Sequence, residues 1–511
     1  MIGLRDILTM IGRKPIFFLK LNSGIKQKKT MLTSLFQRIK IPHVFTLLTV
    51  VVFICSVLTY IIKSGDYQRE TKQIGALTRT VVIPGTYKEI PKNYSLEGVV
   101  IGREVEGEAS PVSLVDFLSA IPRGMEEAAD IIFFIFIIGG VFGILQKTGT
   151  IMAFIQKLLD SFGDTANVLV IILMISVAVG ASTLGMGEEF IPLIPIFLIV
   201  SKKLGYDRVF GLGIVWLAAE SGFAAATTNP FTVNIAQGIA EVPLNSGIGF
   251  RVIFFIVALA ITIFYLLRYG ARIKKDRSKS LMPDDDFSLS DLSFEKADFK
   301  KEHIFILIVG AGLFAFIIYA VQVFGWWINE MAGGFLLIGF SAVVISRMSL
   351  NNAAKAFIKG LEDMVVAALV VGFARGVQVV LQDGQILDTI IHFAAFHLQQ
   401  YHNFVAAGGM LAFQTFLNFF IPSGSGQAAV TMPLMAPLSD LIGITRQTAV
   451  FAFTCGDGFS NMIIPTSGTL MAVLAIAKVP YTKWLKFALP LFAMLFLLSL
   501  LFLIIAVVIN Y

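Results

Sequence analysis

Four carboxylates lie inside apolar runs of this 511-residue chain, where an ionisable group costs about 2.5–3.5 kcal/mol on insertion scales. Glu188 and Glu189 follow Gly185-Met186-Gly187, Glu220 precedes Gly222-Phe223, and Asp457 sits between Gly456 and Gly458. One base, Arg375, shares such surroundings. Acids so placed can hold a cationic group or carry a proton. They can equally serve structure by accepting N–H bonds from helix ends, and both roles stay open from sequence.

Around these acids the chain is rich in oxygen donors. Gly185, Gly187, Thr228 and Asn229 form one group; Ser423, Ser425, Gly458, Ser460, Asn461 and Thr466 form a second, with Gln427 beside it. Carbonyls freed at glycines, together with Ser, Thr and Asn side chains, are the ligand set that unwound membrane helices offer to Na⁺. We therefore read Gly185, Gly187, Thr228, Asn229, Ser425, Gly458, Ser460 and Thr466 as candidate ion ligands. Glu188, Glu189, Asp457, Ser423, Ser425, Asn461, Asn229 and Gln427 are the candidate substrate ligands. The coupling ion is Na⁺ or H⁺; no other cofactor or metal is expected.

These groups sit in two stretches, Gly180–Phe231 and Phe419–Ser467, that read as copies of one pattern. Gly185-Met186-Gly187 aligns with Gly424-Ser425-Gly426, Gly205 with Gly443, Arg208 with Arg446, Gly222-Phe223 with Gly458-Phe459, and Pro230 with Pro465. The offset drifts only from 239 to 235, as an internal duplication with small indels requires. Each copy gives two apolar arms around a polar tip, then a helix interrupted by Gly, Asn and Pro. At bilayer depth, irregular backbone is tolerated only where protein or a cavity surrounds it.

The elements that must position these tips are membrane helices. Hydrophobic residues make up 56% of the chain, charged residues only 14%, and mean hydropathy is +0.81, which excludes a soluble protein. Apolar runs long enough to span a hydrocarbon core recur throughout. Cys55 and Cys455 both fall in apolar segments, so neither a disulfide framework nor a metal cluster is supported. No basic stripe interleaved with aromatics suggests nucleic acid as a partner.

The expected fold is an all-α polytopic membrane protein with about nine transmembrane helices and two re-entrant helical hairpins. These form two inverted-topology repeats with helices broken at the midplane. Residues 1–42, with nine Lys or Arg against one Asp, read as a basic cytoplasmic segment on the membrane surface. The first span is 43–62 and runs outward, and 63–128 form an ordered extracytoplasmic loop. The first repeat, 130–268, contains hairpin one, and 269–301 is a cytoplasmic linker whose acidic run Asp284-Asp285-Asp286 reads as solvated chain. Two spans and an interfacial helix fill 302–362. The second repeat, 363–511, contains hairpin two. Lys202-Lys203 place hairpin one open to the cytoplasm; hairpin two then opens outside.

Two other classes compete with a transporter. A passive channel would need a continuous pore, which oppositely opening hairpins disfavour. An intramembrane serine hydrolase would need a base beside Ser423 or Ser425. His392, His397 and His402 lie upstream in an interfacial stretch, and the duplicated tip has no serine.

Five motifs carry a resemblance: Gly185-Met186-Gly187-Glu188-Glu189, Asn229-Pro230-Phe231, Ser423-Gly424-Ser425-Gly426-Gln427-Ala428-Ala429, Met432-Pro433-Leu434 and Gly456-Asp457-Gly458-Phe459-Ser460. They resemble the C4-dicarboxylate anaerobic carrier family over about 40–510, within it the YfcC-type branch of basic amino acid antiporters. The resemblance implies a secondary transporter of the bacterial inner membrane, similar to a wider superfamily whose members often form homodimers and move like elevators. The family name implies dicarboxylates, the branch basic amino acids such as arginine or ornithine. Four buried acids against Arg375 favour the cationic substrate, since an unpaired buried carboxylate is expensive.

Overall fold

Nineteen α-helices, two 3₁₀ turns and four short strands build the described part of the chain. The computed structural model describes residues 43–74, 77–102, 107–162, 165–283 and 299–511. The basic segment 1–42 and the acidic run at 284–286 lie outside the described residues. Val44–Tyr511 is one compact unit.

Eight helices are long and apolar enough to cross a membrane. Seven are α1 (Val44–Ile61), α4 (Ala129–Lys147), α10 (Ile248–Lys275), α11 (Lys301–Phe324), α12 (Ile328–Ile345), α13 (Leu350–Asp383) and α19 (Tyr481–Val508); the eighth is α6 (Ala166–Leu184). The expected all-α, multi-pass membrane architecture is thus present. α6 leads through Gly185 and a 3₁₀ turn, Glu188–Leu193, into α7 (Ile194–Lys203). α15 (Asn403–Leu417) and α16 (Gly424–Leu441) form the equivalent pair in the second half. The interrupted helices are α8 (Arg208–Ala224) followed by α9 (Val233–Ile239), and α17 (Arg446–Ser460) followed by α18 (Gly468–Ala477).

A single helix, α13, runs through the region where the sequence suggested a surface helix and then a span at Met364–Val380. Its counterpart in the first half is two helices, α3 (Leu114–Glu127) and α4, meeting at Ala128. α3 and α4 pack along α13, with glycines on both sides of the contact. A Cβ on Gly360 would lie 2.1 Å from the Gly139 carbonyl oxygen, so only glycine permits this contact. Small residues let membrane helices gain dispersion energy where lipid offers no hydrophobic drive.

Within each repeat, the broken helix packs on the first arm of its hairpin, α8 on α6 and α17 on α15. The broken helices also touch each other. Aromatic and aliphatic side chains that include Trp216, Phe451, Phe453 and Phe459 are wholly buried around them.

Four short strands lie between α1 and α3. Strand β1 (Ser64–Asp66) pairs antiparallel with β4 (Lys88–Ile90), and β2 (Arg69–Ile74) with β3 (Leu77–Val82). The base of this ribbon is fastened to α14 (Leu387–Leu398): Arg69 donates two bonds of 2.8 and 2.9 Å to the buried Asp388 carboxylate, which also accepts the Tyr67 N–H. The Tyr67 hydroxyl meets His392 Nδ1 at 2.9 Å, and Tyr87 stacks on the same imidazole. Lys92 reaches the Thr59 and Ile62 carbonyls and so caps the end of α1. Burial at this position pushes its amine down to about 8.

Candidate substrate site

Breaking a helix leaves N–H and C=O groups that must find partners. In the first repeat the break at 225–232 is stitched to the end of α6: the Thr227 N–H donates to the Ser182 carbonyl at 3.0 Å and the Thr228 hydroxyl to the Thr183 carbonyl at 3.1 Å. Asn229 Oδ1 accepts the Phe231 N–H at 2.8 Å. In the second repeat the stitch is Asn418, at the end of α15. Its amide nitrogen faces the Asp457 carbonyl, Ser460 Oγ and Asn461 Oδ1 at 2.7–2.8 Å. Carbonyls past the second break are taken by α19, through Trp484 Nε1 to Met462 and the Tyr481 hydroxyl to Ile463.

Between these breaks lies a cavity of about 200 Å³. Both tips line it, Gly185 to Glu189 from the first and Pro422 to Ser425 from the second, with Asn461 and Thr466 from the second break. The 3₁₀ turn at Glu188, α16 at Gly424 and α18 at Gly468 all begin at this cavity. Helix N-termini present N–H groups and a positive dipole end, which suit an anionic group.

Charged side chains complete the lining. Glu188, Glu189 and Glu220 face the cavity, and Arg375 is the one cation there among the described residues. Arg375 Nη1 donates to Gln378 Oε1 at 2.7 Å. Glu189 Oε2 accepts the Gly187 N–H at 2.8 Å, which closes the first tip. Asp457 is wholly buried beneath the second tip, where a Cβ on Gly424 would lie 3.1 Å from its Oδ2. Glu220 is within electrostatic reach of both Asp457 and Glu188. Asp457 Oδ1 and Oδ2, Glu220 Oε2, Asn418 Oδ1, Thr232 Oγ1 and Thr466 Oγ1 are buried without a hydrogen-bond partner among the described residues.

Eight of the sequence-predicted residues thus meet at one cavity: Gly185, Gly187, Glu188, Glu189, Ser423, Ser425, Asn461 and Thr466. The others stand behind it. Asn229 lies against Gly185, and Gly458 packs on the Ala224 backbone. Ser460 bonds the Gly456 carbonyl, and Gln427 points away to Gln414, donating to its carbonyl and Oε1. Thr228 bonds the Thr183 carbonyl, and Asp457 lies beneath the second tip.

Sequence reasoning left four contributors out of the site. Glu220 and Arg375 were visible as intramembrane charges, but which helix face they occupy was not. Asn418 was readable only as a lone amide in an apolar arm. Trp327 carries no local pattern that points to a cavity. Ser423 and Ser425 have no histidine beside them in the cavity lining. His392 instead pairs with Tyr67, and His397 Nδ1 with the Phe393 carbonyl.

A membrane-spanning helical bundle whose two duplicated tips and broken helices enclose one small charged cavity defines a multi-pass transport protein. The sequence places it further: the profile of the C4-dicarboxylate anaerobic carriers matches residues 41–508, and the chain belongs to that family. It is 34% identical over 489 residues to the Escherichia coli K12 protein named "Putative basic amino acid antiporter YfcC", covering 91% of this chain and 96% of that one. An uncharacterized Haemophilus influenzae Rd protein is 28% identical over 526 residues, covering 94% and 98%. Among solved structures, the Alcanivorax borkumensis YdaH transporter superposes with a TM-score of 0.43 at 15% identity, covering 92% of this chain and 99% of that chain. Neisseria gonorrhoeae MtrF, from a class of antimetabolite efflux pumps, gives 0.42 at 16%, covering 92% and 96%. The chain is a secondary transporter of the C4-dicarboxylate carrier and YfcC type.

Proposed function

We propose that this transporter carries basic amino acids, such as arginine or ornithine, by exchange or with a coupling cation. The observation that carries the reading is the charge of the cavity: three lining carboxylates and Asp457 behind them, against the single Arg375. A dibasic amino acid supplies two cationic groups for the acids and one carboxylate for Arg375 or a helix N-terminus. Ser423, Ser425 and Asn461 line the same wall and can hydrogen-bond either end. The name of the Escherichia coli relative points the same way.

The unpartnered oxygens of Asp457, Asn418, Thr232 and Thr466 support a coupling ion, Na⁺ or H⁺, held by groups that include Thr466 and the carbonyls around Gly185, Gly187 and Gly458. Asn229 lies against Gly185, Ser425 lines the same cavity, and Thr228 and Ser460 stand at the two breaks, where they can join this ligand set. In this reading the hairpins are re-entrant, the N-terminus is cytoplasmic, and a homodimer moves its hairpin unit like an elevator. The duplicated pattern, the Lys and Arg placement and the resemblance support these points. α6, however, has the length and hydropathy of a full span.

A second reading, Na⁺- or H⁺-coupled uptake of a C4-dicarboxylate, is favoured by three helix N-termini at the cavity and by the family's description. Counterflow in proteoliposomes separates the two. Vesicles loaded with arginine, ornithine, a neutral amino acid or succinate are given external labelled arginine or succinate. Stimulation of arginine uptake by internal arginine or ornithine alone supports the first reading. Counterflow of succinate alone overturns it.

A further inference from the structure

An indole at the end of a membrane helix is ordinary, because the headgroup region favours it. Trp327 differs in what it touches. It lines the substrate cavity as the residue before α12, and its backbone is fixed where its N–H donates to Glu330 Oε2 at 3.0 Å. Its ring meets Phe231 edge-on at 4.6 Å between centroids. Phe231 also lines the cavity and is held by Asn229 in the first break. The Arg79 guanidinium of strand β3 lies over the same indole, 5.2 Å from its centroid. Arg79 is half-buried and its Nε makes no hydrogen bond, so the ring is the contact that compensates for its loss of water.

These three residues come from different parts of the fold. Trp327 belongs to α12, which packs on α4 and α11. Phe231 belongs to the broken helix of the first repeat. Arg79 belongs to the ribbon, whose β3 rests on α16 of hairpin two and whose β2 touches α9. The Phe231–Trp327–Arg79 stack therefore joins α12, the first break and the ribbon at the edge of the cavity. Relative movement of these three elements strains its contacts.

We propose that Trp327 is the gate residue on the ribbon's side of the cavity, and that Arg79 is the positioning residue that holds it closed against Phe231. The stack is a polar–aromatic latch: a cation over the indole face fixes the ring, and the ring shields the cavity from water on that side. Its role does not depend on which substrate the cavity takes.

The test reads access rather than transport. Thr469, which lines the cavity, is changed to cysteine in the full-length protein, and a membrane-impermeant methanethiosulfonate is applied to sealed vesicles of each orientation. The natural Cys55 and Cys455 are buried, so background labelling is low. Arg79→Ala should speed modification from the ribbon's side about two- to fivefold, the factor a partly exposed cation–π contact supplies. Arg79→Lys, which keeps a cation over the ring, should stay near the parent rate. Trp327→Leu, which keeps apolar bulk but removes the π face, should speed labelling, and adding Arg79→Ala should then change nothing further.

Only proteins with the parent's elution profile in detergent are compared. The assignment is overturned if Arg79→Ala leaves the rate unchanged, if Arg79→Lys is as fast as Arg79→Ala, if the two substitutions multiply, or if acceleration is equal from both sides. Failure of the arginine counterflow experiment would leave this result standing, since no substrate enters the assay.

Discussion

At Gly458 the second broken helix meets the backbone of the first. A Cβ placed there would lie 2.3 Å from Ala224 Cα, 2.5 Å from its Cβ and 2.8 Å from its nitrogen. Carbon atoms in contact sit about 3.5–4.0 Å apart, so Gly458→Ala must push α17 from α8 by more than about 1 Å. No flexible side chain can yield, because the opposing atoms are backbone and a methyl group. Overpacking of this kind costs about 1–3 kcal/mol. The functional effect should be larger, because Glu220 follows α8 while Asn461 and Thr466 follow α17. Misplacing reacting or binding groups by about 1 Å can cost about 100-fold in rate. Counterflow with purified Gly458→Ala should therefore fall at least tenfold while the protein still reaches the membrane, with a lower inactivation temperature in detergent. Gly312→Ala is the control, since nothing lies within 4 Å of a Cβ there and helix propensity favours alanine by about 0.5–1 kcal/mol. Wild-type transport by Gly458→Ala would refute the argument that both broken helices form one site.

Four further outcomes follow from the same geometry. Asp457→Asn keeps the shape but removes the buried charge, and should abolish the dependence of uptake on the coupling ion; intact uptake with intact ion dependence would remove Asp457 from the site. Arg375→Gln should raise the KM for a carboxylate-bearing substrate about ten- to hundredfold, the worth of a charged hydrogen bond of about 1.5–3 kcal/mol, with Arg375→Lys in between. Asp388→Asn should loosen the ribbon, because the charge is lost and one oxygen is left for the Arg69 guanidinium and the Tyr67 N–H that two now serve, and trypsin cleavage within residues 63–110 under native conditions should accelerate. The Lys92 amine, pushed down to about 8 from 10.5 by burial, gives an unfolded chain that binds more protons between those values, so this residue makes stability rise from pH 8 to 10.5. Thermal inactivation of Lys92→Met should lack that component of the rise.

The sequence by itself determined the class of molecule. Composition and run length alone require apolar helices in a bilayer, because backbone polar groups have no partner in lipid except each other. The aligned glycines and prolines located both tips and both breaks, since these residues act on their own backbone and need no tertiary context to be read. That is why eight predicted residues fall on one cavity. The family motifs were equally local.

Tertiary structure decided which polar atoms face the cavity and which face the fold. Gln427 and Ser460 carry the same donors and acceptors as Ser425 and Asn461, yet they serve the hairpin arm and the helix, because a rotation of about 100° per residue separates them. Glu220 and Arg375 enter the site from helices more than a hundred residues apart, a meeting no local pattern encodes. Gly360 against Gly139 and Gly458 against Ala224 are contacts between helices far apart in sequence, so the packing role of these glycines, including Gly458 that reads as an ion ligand, shows only in the fold. The run Arg79-Thr80-Val81-Val82-Ile83 reads as a strand from its composition and alternation, whereas the place of the ribbon over Trp327 is not in the sequence. A cation and a ring brought together across some 250 residues of chain are selected by the packed fold, where burial makes each the partner the other requires.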